Sequence, residues 1–323
     1  TNQVQLLGPG TINAKGNVVL SVCASHTAPL LLTGGADQTI EATGGADCYD
    51  GDVTVNKSGG TVSLTTGALT LNAASQDLLI QSGTFSLNGF GLTVNGTSGT
   101  VVVQNGGTLQ LQGGETVTLN ASNPTFQAGS TAKYVGTVGP YALKAWTYKS
   151  LVIAGGASSV FSLPGTLSLG ENLTITTGIL SLTGNTFTVT GTVSNDGTLR
   201  LQGGETVTLT NDSDSGIVEY VGNANASANS YTLKNWTYYD LLVNFADTDD
   251  TVTASSSPLA VNRNFSLVFG GFTAPTTMNV AGNFSHSGGT FAHNNGTVNT
   301  ATLDNVRLAA ALSGLWFLQF RCQ

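Results

Sequence analysis

The feature that most constrains this chain of 323 residues is a repeat of 90 residues. Residues 107–119 (GTLQLQGGETVTL) return at 197–209 as GTLRLQGGETVTL, with a single Gln-to-Arg change. Seven residues of the block 141–151 return at the same spacing in 231–241. Two separate blocks at one offset predict a repeat architecture, in which each unit buries its apolar face against its neighbours.

Within the repeat, apolar and polar residues alternate. Leu109, Leu111, Val117 and Leu119 are separated by Thr, Gln and Glu residues, and Gly113-Gly114 interrupts the pattern. A period of two residues indicates short β-strands. Strands of this length can build a sandwich or a solenoid, and the repeat favours the solenoid. Coils of about 22 residues, each with three strands, give about 14 coils. We therefore predict an all-β fold, a single right-handed parallel β-solenoid.

The predicted rod covers residues 1–300 and contains the repeat units 107–196 and 197–286. Residues 301–323 depart from the repeat, because they carry apolar runs unlike anything before them. This segment is interpreted either as a cap over the last coil or as a docking segment for another chain. The candidate residues for self-association are Leu312, Leu315, Trp316, Phe317 and Phe320. Solenoid ends that accept strands would stack subunits head to tail, an arrangement that does not close and produces a filament.

Composition excludes several partners. Only 9% of the residues are charged, with 10 Lys plus Arg against 18 Asp plus Glu, and the net charge is −8. Basic residues this sparse cannot neutralise a run of phosphates, so nucleic acid is not an expected partner. No apolar run reaches the ~18 residues that an integral membrane segment needs. Low charge fits a solenoid, because like charges in successive coils would lie only ~4.8 Å apart.

Acidic residues cluster in three turn-like segments, where Asp is favoured because its side chain bonds nearby backbone amides. They are Asp47, Asp50 and Asp52; Asp212 and Asp214; and Asp247, Asp249 and Asp250. The turn interpretation is preferred over calcium binding, and calcium binding over the catalysis of a polysaccharide lyase or hydrolase, which would need carboxylates clustered in one groove. We expect no enzymatic activity, no metal site and no cofactor, with calcium at these turns as the alternative.

The repeated aromatic segment is the most distinctive candidate site. Lys144, Trp146 and Tyr148 alternate and are expected to share one face of a strand, as are their copies Lys234, Trp236 and Tyr238. Facing outward, they would contact surface glycans or a neighbouring subunit. Facing inward, the rings would be core residues and the Lys stems would lie along apolar surface. The inward, structural interpretation is preferred.

Three cysteines are present. Cys23 and Cys48 lie about one coil apart, so they could face each other in adjacent turns and form a disulfide, which would suit an oxidising extracellular setting. The alternative is that both are small buried apolar residues. Cys322 is left over and would be free or would link two chains.

Three segments give the chain a family resemblance. They are WTYYDLLVN at 236–244, ENLTITTGILSLTGNTFTVTGTVSNDGTL at 171–199 and GNFSHSGGTFAHNNGTV at 282–298. Together they resemble the repeat-rich right-handed β-helical surface proteins of bacteria, including autotransporter passengers and haemagglutinin-like adhesins. The resemblance covers roughly residues 50–300 and implies an extracellular, cell-surface protein of structural or adhesive function.

Overall fold

The structure is a computed structural model that describes residues 10–20, 26–43, 49–120, 123–304 and 319–322. Strands account for all of the regular secondary structure in these ranges, and no helix occurs in them. Every pairing between these strands is parallel, and the strands stack as a β-solenoid of about 13 turns. The predicted all-β parallel solenoid is therefore confirmed, with a turn count close to the 14 expected.

The strands of the first half are β1 Ile12–Ala14, β2 Val18–Leu20, β3 Leu30–Gly34, β4 Gln38–Ala42, β5 Val53–Thr66, β6 Leu69–Leu71, β7 Leu78–Ser86, β8 Leu92–Val94, β9 Val101–Val103, β10 Gly107–Leu111, β11 Val117–Leu119, β12 Thr125–Phe126, β13 Thr131–Tyr134, β14 Tyr141–Ala142, β15 Ser150–Ala154, β16 Val160–Ser162 and β17 Leu167–Leu169. Those of the second half are β18 Leu173–Thr177, β19 Ile179–Ser181, β20 Phe187–Val189, β21 Val193–Asn195, β22 Thr198–Leu201, β23 Val207–Thr208, β24 Ile217–Tyr220, β25 Ser230–Thr232, β26 Asp240–Asn244, β27 Thr251–Thr253, β28 Leu259–Val261, β29 Phe265–Phe269, β30 Gly271–Thr273, β31 Thr277–His286, β32 Thr290–Ala292, β33 Thr297–Asp304 and β34 Gln319–Cys322.

Two compact units make up the chain, Thr1–Pro164 with Ser168–Leu173 and Gly165–Leu167 with Thr174–Gln323. In the first unit, the main sheet runs β1-β3-β5-β7-β10-β13-β15, a second sheet runs β11-β8-β6, and β14 pairs with β16. In the second unit, one sheet runs β19-β22-β24-β26-β29-β31-β33-β34 and another runs β25-β27-β30-β32. Neighbours in these sheets are mostly non-consecutive in the chain, because the intervening strands form the other faces of the same coil.

Stacked apolar residues form the core of each unit. In the first unit, Leu30, Val53, Leu78 and Val101 are Cα partners in successive coils, and all are buried. The steps between them are 23, 25 and 23 residues, close to the coil length predicted from the sequence. Burying one such side chain stabilises a fold by about 1.5–3 kcal/mol. The ladders therefore hold each coil to its neighbours.

Carboxylates join successive coils at the corners. Asp52 Oδ1 accepts the backbone N–H of Asp77 at 2.9 Å, and Asp77 Oδ1 accepts the backbone N–H of Thr100 at 2.7 Å. Each side chain thus satisfies a backbone donor of the following coil, in the way expected for Asp in a turn. These two Asp residues stabilise the corner between the coils.

The two repeat copies build the same arrangement of coils in the two units. From β10 to β13 and on to β15, the Cα partners are 23 and 19 residues apart. From β22 to β24 and on to β26 they are 19 and 23 residues apart. The step from β24 to β26 is longer than the step from β13 to β15, because residues 223–230 replace the four residues 137–140. Nearly all of the longer segment is exposed. The sequence prediction that insertions mark surface loops is confirmed at this position.

The C-terminal segment contributes strands to the solenoid. Strand β33 continues through residue 300, where we placed the end of the rod, and ends at Asp304. Strand β34 pairs with β33 in parallel, with Gln319 opposite Thr297 and Phe320 opposite Val298. Four of the candidate self-association residues lie outside the described residues, namely Leu312, Leu315, Trp316 and Phe317.

Candidate functional site

The repeated aromatic segment does not form the strand that the alternation predicted. Strand β14 ends at Ala142, and residues 143–149 run outside any strand. Leu143 donates its backbone N–H to Ser162 O, and Trp146 donates to Lys144 O, which curls the chain back on itself. The alternation of Lys, Trp and Tyr therefore belongs to a corner of the coil.

This corner places its rings inside the protein. Trp146 is 8% exposed and Tyr148 is fully buried. Phe126 packs against both rings, with centroids 6.2 and 5.6 Å away. In the second copy, Tyr238 is fully buried and Trp236 is half-buried. The Trp146 and Tyr148 rings therefore lie among buried side chains, whereas Trp236 keeps part of its surface exposed.

A closed ring of hydrogen bonds links the Lys backbone to two tyrosines. Lys144 donates its backbone N–H to the Tyr134 hydroxyl at 3.0 Å, and Tyr148 donates its hydroxyl to Lys144 O at 2.6 Å. The two hydroxyl oxygens are 2.9 Å apart. Because the Tyr148 proton is already used on Lys144 O, the Tyr134 proton must point to Tyr148. Each group in the ring is thereby satisfied.

The second copy repeats this network. Lys234 donates its N–H to Tyr220 at 2.9 Å, Tyr238 donates to Lys234 O at 2.7 Å, and the hydroxyl oxygens are 3.2 Å apart. The same ring of contacts in both units shows that the repeated residues specify a corner geometry.

A buried glutamate organises the turn beside each corner. Glu115 accepts the backbone N–H of Gln112 at 2.5 Å and of Gly113 at 2.7 Å, and Lys144 donates its Nζ to Glu115 O at 2.6 Å. Glu205 makes the corresponding contacts in the second copy with Gln202, Gly203 and Lys234. The Glu and Lys side chains of both repeat copies therefore bind backbone N–H and C=O groups.

Burial raises the pKa values of the four corner tyrosines above the ordinary value of a Tyr side chain. Loss of contact with water raises the pKa of Tyr134 and of Tyr220 to about 12. It also raises the pKa values of Tyr148 and Tyr238 far above their usual range. A buried phenol resists ionisation because the phenolate loses its hydration. All four hydroxyls act as neutral hydrogen-bond donors.

The acidic turns bind their own backbone. Asp212 accepts the N–H groups of Asn195 at 2.8 Å and Asp214 at 3.0 Å. Burial raises the pKa of Asp212, but these donors outweigh burial and hold the pKa below its ordinary value. Asp50 and Asp52 are at least partly exposed, whereas Asp47 lies outside the described residues. Across the described ranges, no three His, Cys, Asp or Glu side chains gather in a way that could hold a metal ion.

The predicted disulfide falls on residues that are not described, since Cys23 and Cys48 are both outside the described ranges. Cys322 lies in β34, where its backbone is opposite Thr300. The pairing of the cysteines stays a prediction.

The first described rung of the solenoid has a partly uncovered core. Its inward side chains are all half-buried: Ile12, Ala14, Val18 and Leu20. Their Cα partners in the next rung include Leu30, Leu32 and Ile40, which are 3%, 0% and 0% exposed. Among the described residues, the first rung is covered from one side only. Within the described ranges, these four side chains form an apolar end face.

The backbone of the same rung has an open edge. Ile12 donates its N–H to Pro29 O at 2.8 Å, so this group points to β3. Donors alternate in direction along a parallel strand, and the N–H and C=O of Asn13 therefore point away from β3. Nothing in the described part of the chain bonds to them. Within the described ranges, the outward N–H and C=O of Asn13 therefore form an unpaired backbone edge.

The chain was compared with protein-family models, curated proteins and solved structures, and nothing matched. No helix in the described ranges could cross a membrane. Function must therefore be inferred from the geometry itself.

Two features were missed by sequence reasoning. Glu115 and Glu205 were visible as identical positions of the repeat, and their place directly after Gly-Gly was the available signal for a turn-capping role. The uncovered first rung has no signal in the sequence, because Val18 and Leu20 alternate with polar or outward residues like any buried strand.

Proposed function

We propose that this protein is an extracellular structural or adhesive subunit that assembles end to end through strand pairing between copies. The observation that carries the proposal is the first described rung, in which half-buried apolar side chains occur together with outward backbone groups that no described residue bonds. Exposed strand edges pair readily with other chains. A partner that adds one rung would satisfy both the edge and the uncovered core.

A second copy of the chain is the natural partner. Strand β34 lies at one end of its own sheet and pairs only with β33 among the described strands. Parallel stacking of one copy's last rung on another's first would continue the ladder at the usual ~4.8 Å spacing. The two surfaces differ, so such an interface does not close and yields a filament.

The use of the buried charges also supports a structural role without catalysis. Every buried Lys, Glu, Asp and His side chain in the described ranges hydrogen-bonds within its own chain, and these residues are Lys57, Glu115, Glu205, Glu219, Asp240, Asp250 and His286. These groups serve the fold, and their contacts argue against a role in turnover. The extracellular setting rests on the family resemblance.

Asn13→Pro tests the proposal, because proline removes the outward N–H while the strand keeps its bonds to β3. Asn13→Ala is the matched control, since both variants lose the 2.6 Å bond from Thr33 Oγ1 to the Asn13 side chain. Sedimentation velocity and negative-stain microscopy would measure assembly. We expect polymers for the wild type and for Asn13→Ala, and single particles for Asn13→Pro.

A second pair of variants tests the apolar end face. Val18→Glu places a charge on the half-buried side of β2, whereas Val19→Glu places it on the exposed side of the same strand. Only the first should block assembly. Wild-type material that stays monomeric at all concentrations, or equal assembly by both variants of either pair, would contradict the proposal.

A further inference from the structure

One amide nitrogen in the second unit is surrounded by too many acceptors. Asn229 Nδ2 lies within hydrogen-bond distance of four oxygens. They are Asn223 Oδ1 at 3.3 Å, Asn225 Oδ1 at 2.9 Å, Asp250 Oδ1 at 3.0 Å and the carbonyl oxygen of Ser227. A carboxamide carries only two N–H hydrogens, so at most two of these contacts can be well made. The remaining oxygens face one another around a single point.

The carboxylate in this cage lacks a compensating charge. Asp250 is fully buried, and its Oδ1 also accepts the backbone N–H of Asn229 at 2.9 Å. Its Oδ2 is buried with no hydrogen-bond partner in the described structure. The same is true of Asp247 Oδ2. A buried carboxylate oxygen without a partner is costly, and a nearby cation would relieve the cost.

The sequence spacing of the loop explains how the oxygens converge. The contributing residues of the loop occupy alternate positions, 223, 225, 227 and 229. Two of the three alanines between them, Ala224 and Ala226, have left-handed φ angles of 54° and 56°. This alternation turns successive oxygens toward one side. Calcium-binding loops use the same principle, with side-chain oxygens at alternate positions followed by a backbone carbonyl.

The first repeat copy provides an internal comparison. Its loop at 137–140 reads TVGP, and in the register of the neighbouring strands Ser159 stands at the place of Asp250, because Tyr141 lies opposite Phe161 and Tyr231 opposite Val252. The oxygen cage therefore arises from the longer loop and the aspartates of the second copy together. The corner network, by contrast, is the same in both copies.

We propose that the 223–229 loop and Asp250 form a site for a calcium ion. The ion would take the position of Asn229 Nδ2 once that side chain turns aside, and would bind the side-chain oxygens of Asn223, Asn225 and Asp250 and the Ser227 carbonyl. The oxygens would have to move inward to the about 2.3–2.6 Å that calcium prefers. Flexible ligand sets of this kind suit calcium better than magnesium, which demands near-ideal octahedral geometry. The site is independent of the end-to-end assembly proposed above.

The ligand set also fixes the expected affinity. One carboxylate with three neutral oxygens carries little charge, so we expect a dissociation constant of about 10⁻⁴–10⁻³ M, the range of extracellular calcium modules. Calorimetric titration of the full chain with CaCl₂, at constant ionic strength set by NaCl, measures this value. We expect one saturable site per chain.

Two variants and a control test the assignment. Asp250→Asn keeps an acceptor for the Asn229 N–H but removes the charge, and Asn225→Ala removes one exposed ligand. Each should weaken calcium binding at least tenfold. Asp77→Asn, which changes a carboxylate that caps a corner in the first unit, should bind calcium as the wild type does.

A loop exchange keeps the test decisive if Asp250→Asn unfolds. Replacing residues 223–230 by the TVGP of the first copy restores a loop that this fold already accommodates, as circular dichroism would verify. The exchanged protein should show no saturable calcium binding. No saturable binding by the wild type, or binding by the exchanged protein equal to that of the wild type, would overturn the proposal.

Discussion

Replacing Tyr148 by Phe removes one oxygen atom from the centre of the corner network. The ring of contacts passes from Lys144 N–H to Tyr134, from Tyr134 to Tyr148, and from Tyr148 back to Lys144 O. Without the Tyr148 hydroxyl, the Tyr134 proton has no acceptor and Lys144 O has lost its 2.6 Å donor. Both orphaned groups are at least partly buried.

The magnitude follows from counting the orphaned groups. An unsatisfied buried donor or acceptor costs about 1–3 kcal/mol. Two such groups give an expected loss of about 2–6 kcal/mol for Tyr148→Phe. Tyr134→Phe orphans one donor, the Lys144 N–H, and the double variant orphans the Lys144 N–H and C=O only. The double variant should therefore cost about 1–3 kcal/mol less than the sum of the single variants.

Urea unfolding followed by Trp fluorescence measures these costs, because the Trp146 ring lies 6.1 Å from the Tyr148 ring. Hydrogen exchange at the Lys144 amide provides a local reading and should accelerate in Tyr134→Phe. Tyr141→Phe is the control, since the hydroxyl there accepts only one long surface contact, 3.3 Å from Val138 N. If Tyr148→Phe costs no more than this control, or if the double variant is additive, the closed ring of hydrogen bonds is wrong.

Two further predictions concern the same corner. Gly113→Ala should destabilise the protein by at least about 1–2 kcal/mol, because Gly113 has φ +124° and an added Cβ would lie 2.7 Å from the Tyr141 ring. Gly114→Ala is the control, since its Cβ would lie 3.9 Å from that ring. Thermal melting should show almost no effect of the control variant. The contribution of each buried phenol to stability should be constant below pH 10 and fall toward pH 12 by ~1.4 kcal/mol per pH unit, because the folded pKa of Tyr134 is about 12 against 10.0 for a free Tyr and the unfolded chain ionises first. Urea unfolding midpoints that do not change between pH 10 and pH 12 would contradict this pH prediction. Tyr134→Phe should reduce the loss of stability per pH unit.

The fold was predictable because the repeat and the period of two act on every coil. Leu109 and Leu111 are buried as the alternation requires, and their strand pairs in parallel with coils before and after it. Coil length followed from the same spacing. These features depend on local pattern and on stacking, both of which a sequence records directly.

The aromatic corner shows where pattern reasoning fails. Alternation of Lys144, Trp146 and Tyr148 predicts a strand, yet the backbone N–H and the side chain of Lys144 are held by hydrogen bonds to Tyr134 and Glu115, 10 and 29 residues away. The cage around Asn229 similarly needs Asp250, 21 residues along the chain. Contacts between coils are set by register, and register is not visible in a single coil.

Electron cryomicroscopy of assembled protein tests the central claim most directly, because end-to-end strand pairing requires an unbroken ladder at the junction between chains. End-to-end strand pairing predicts rungs about 4.8 Å apart that continue across each junction without a gap. Particles that meet through side surfaces, or junctions that show no strand density between the first rung of one copy and the last rung of the next, would contradict it.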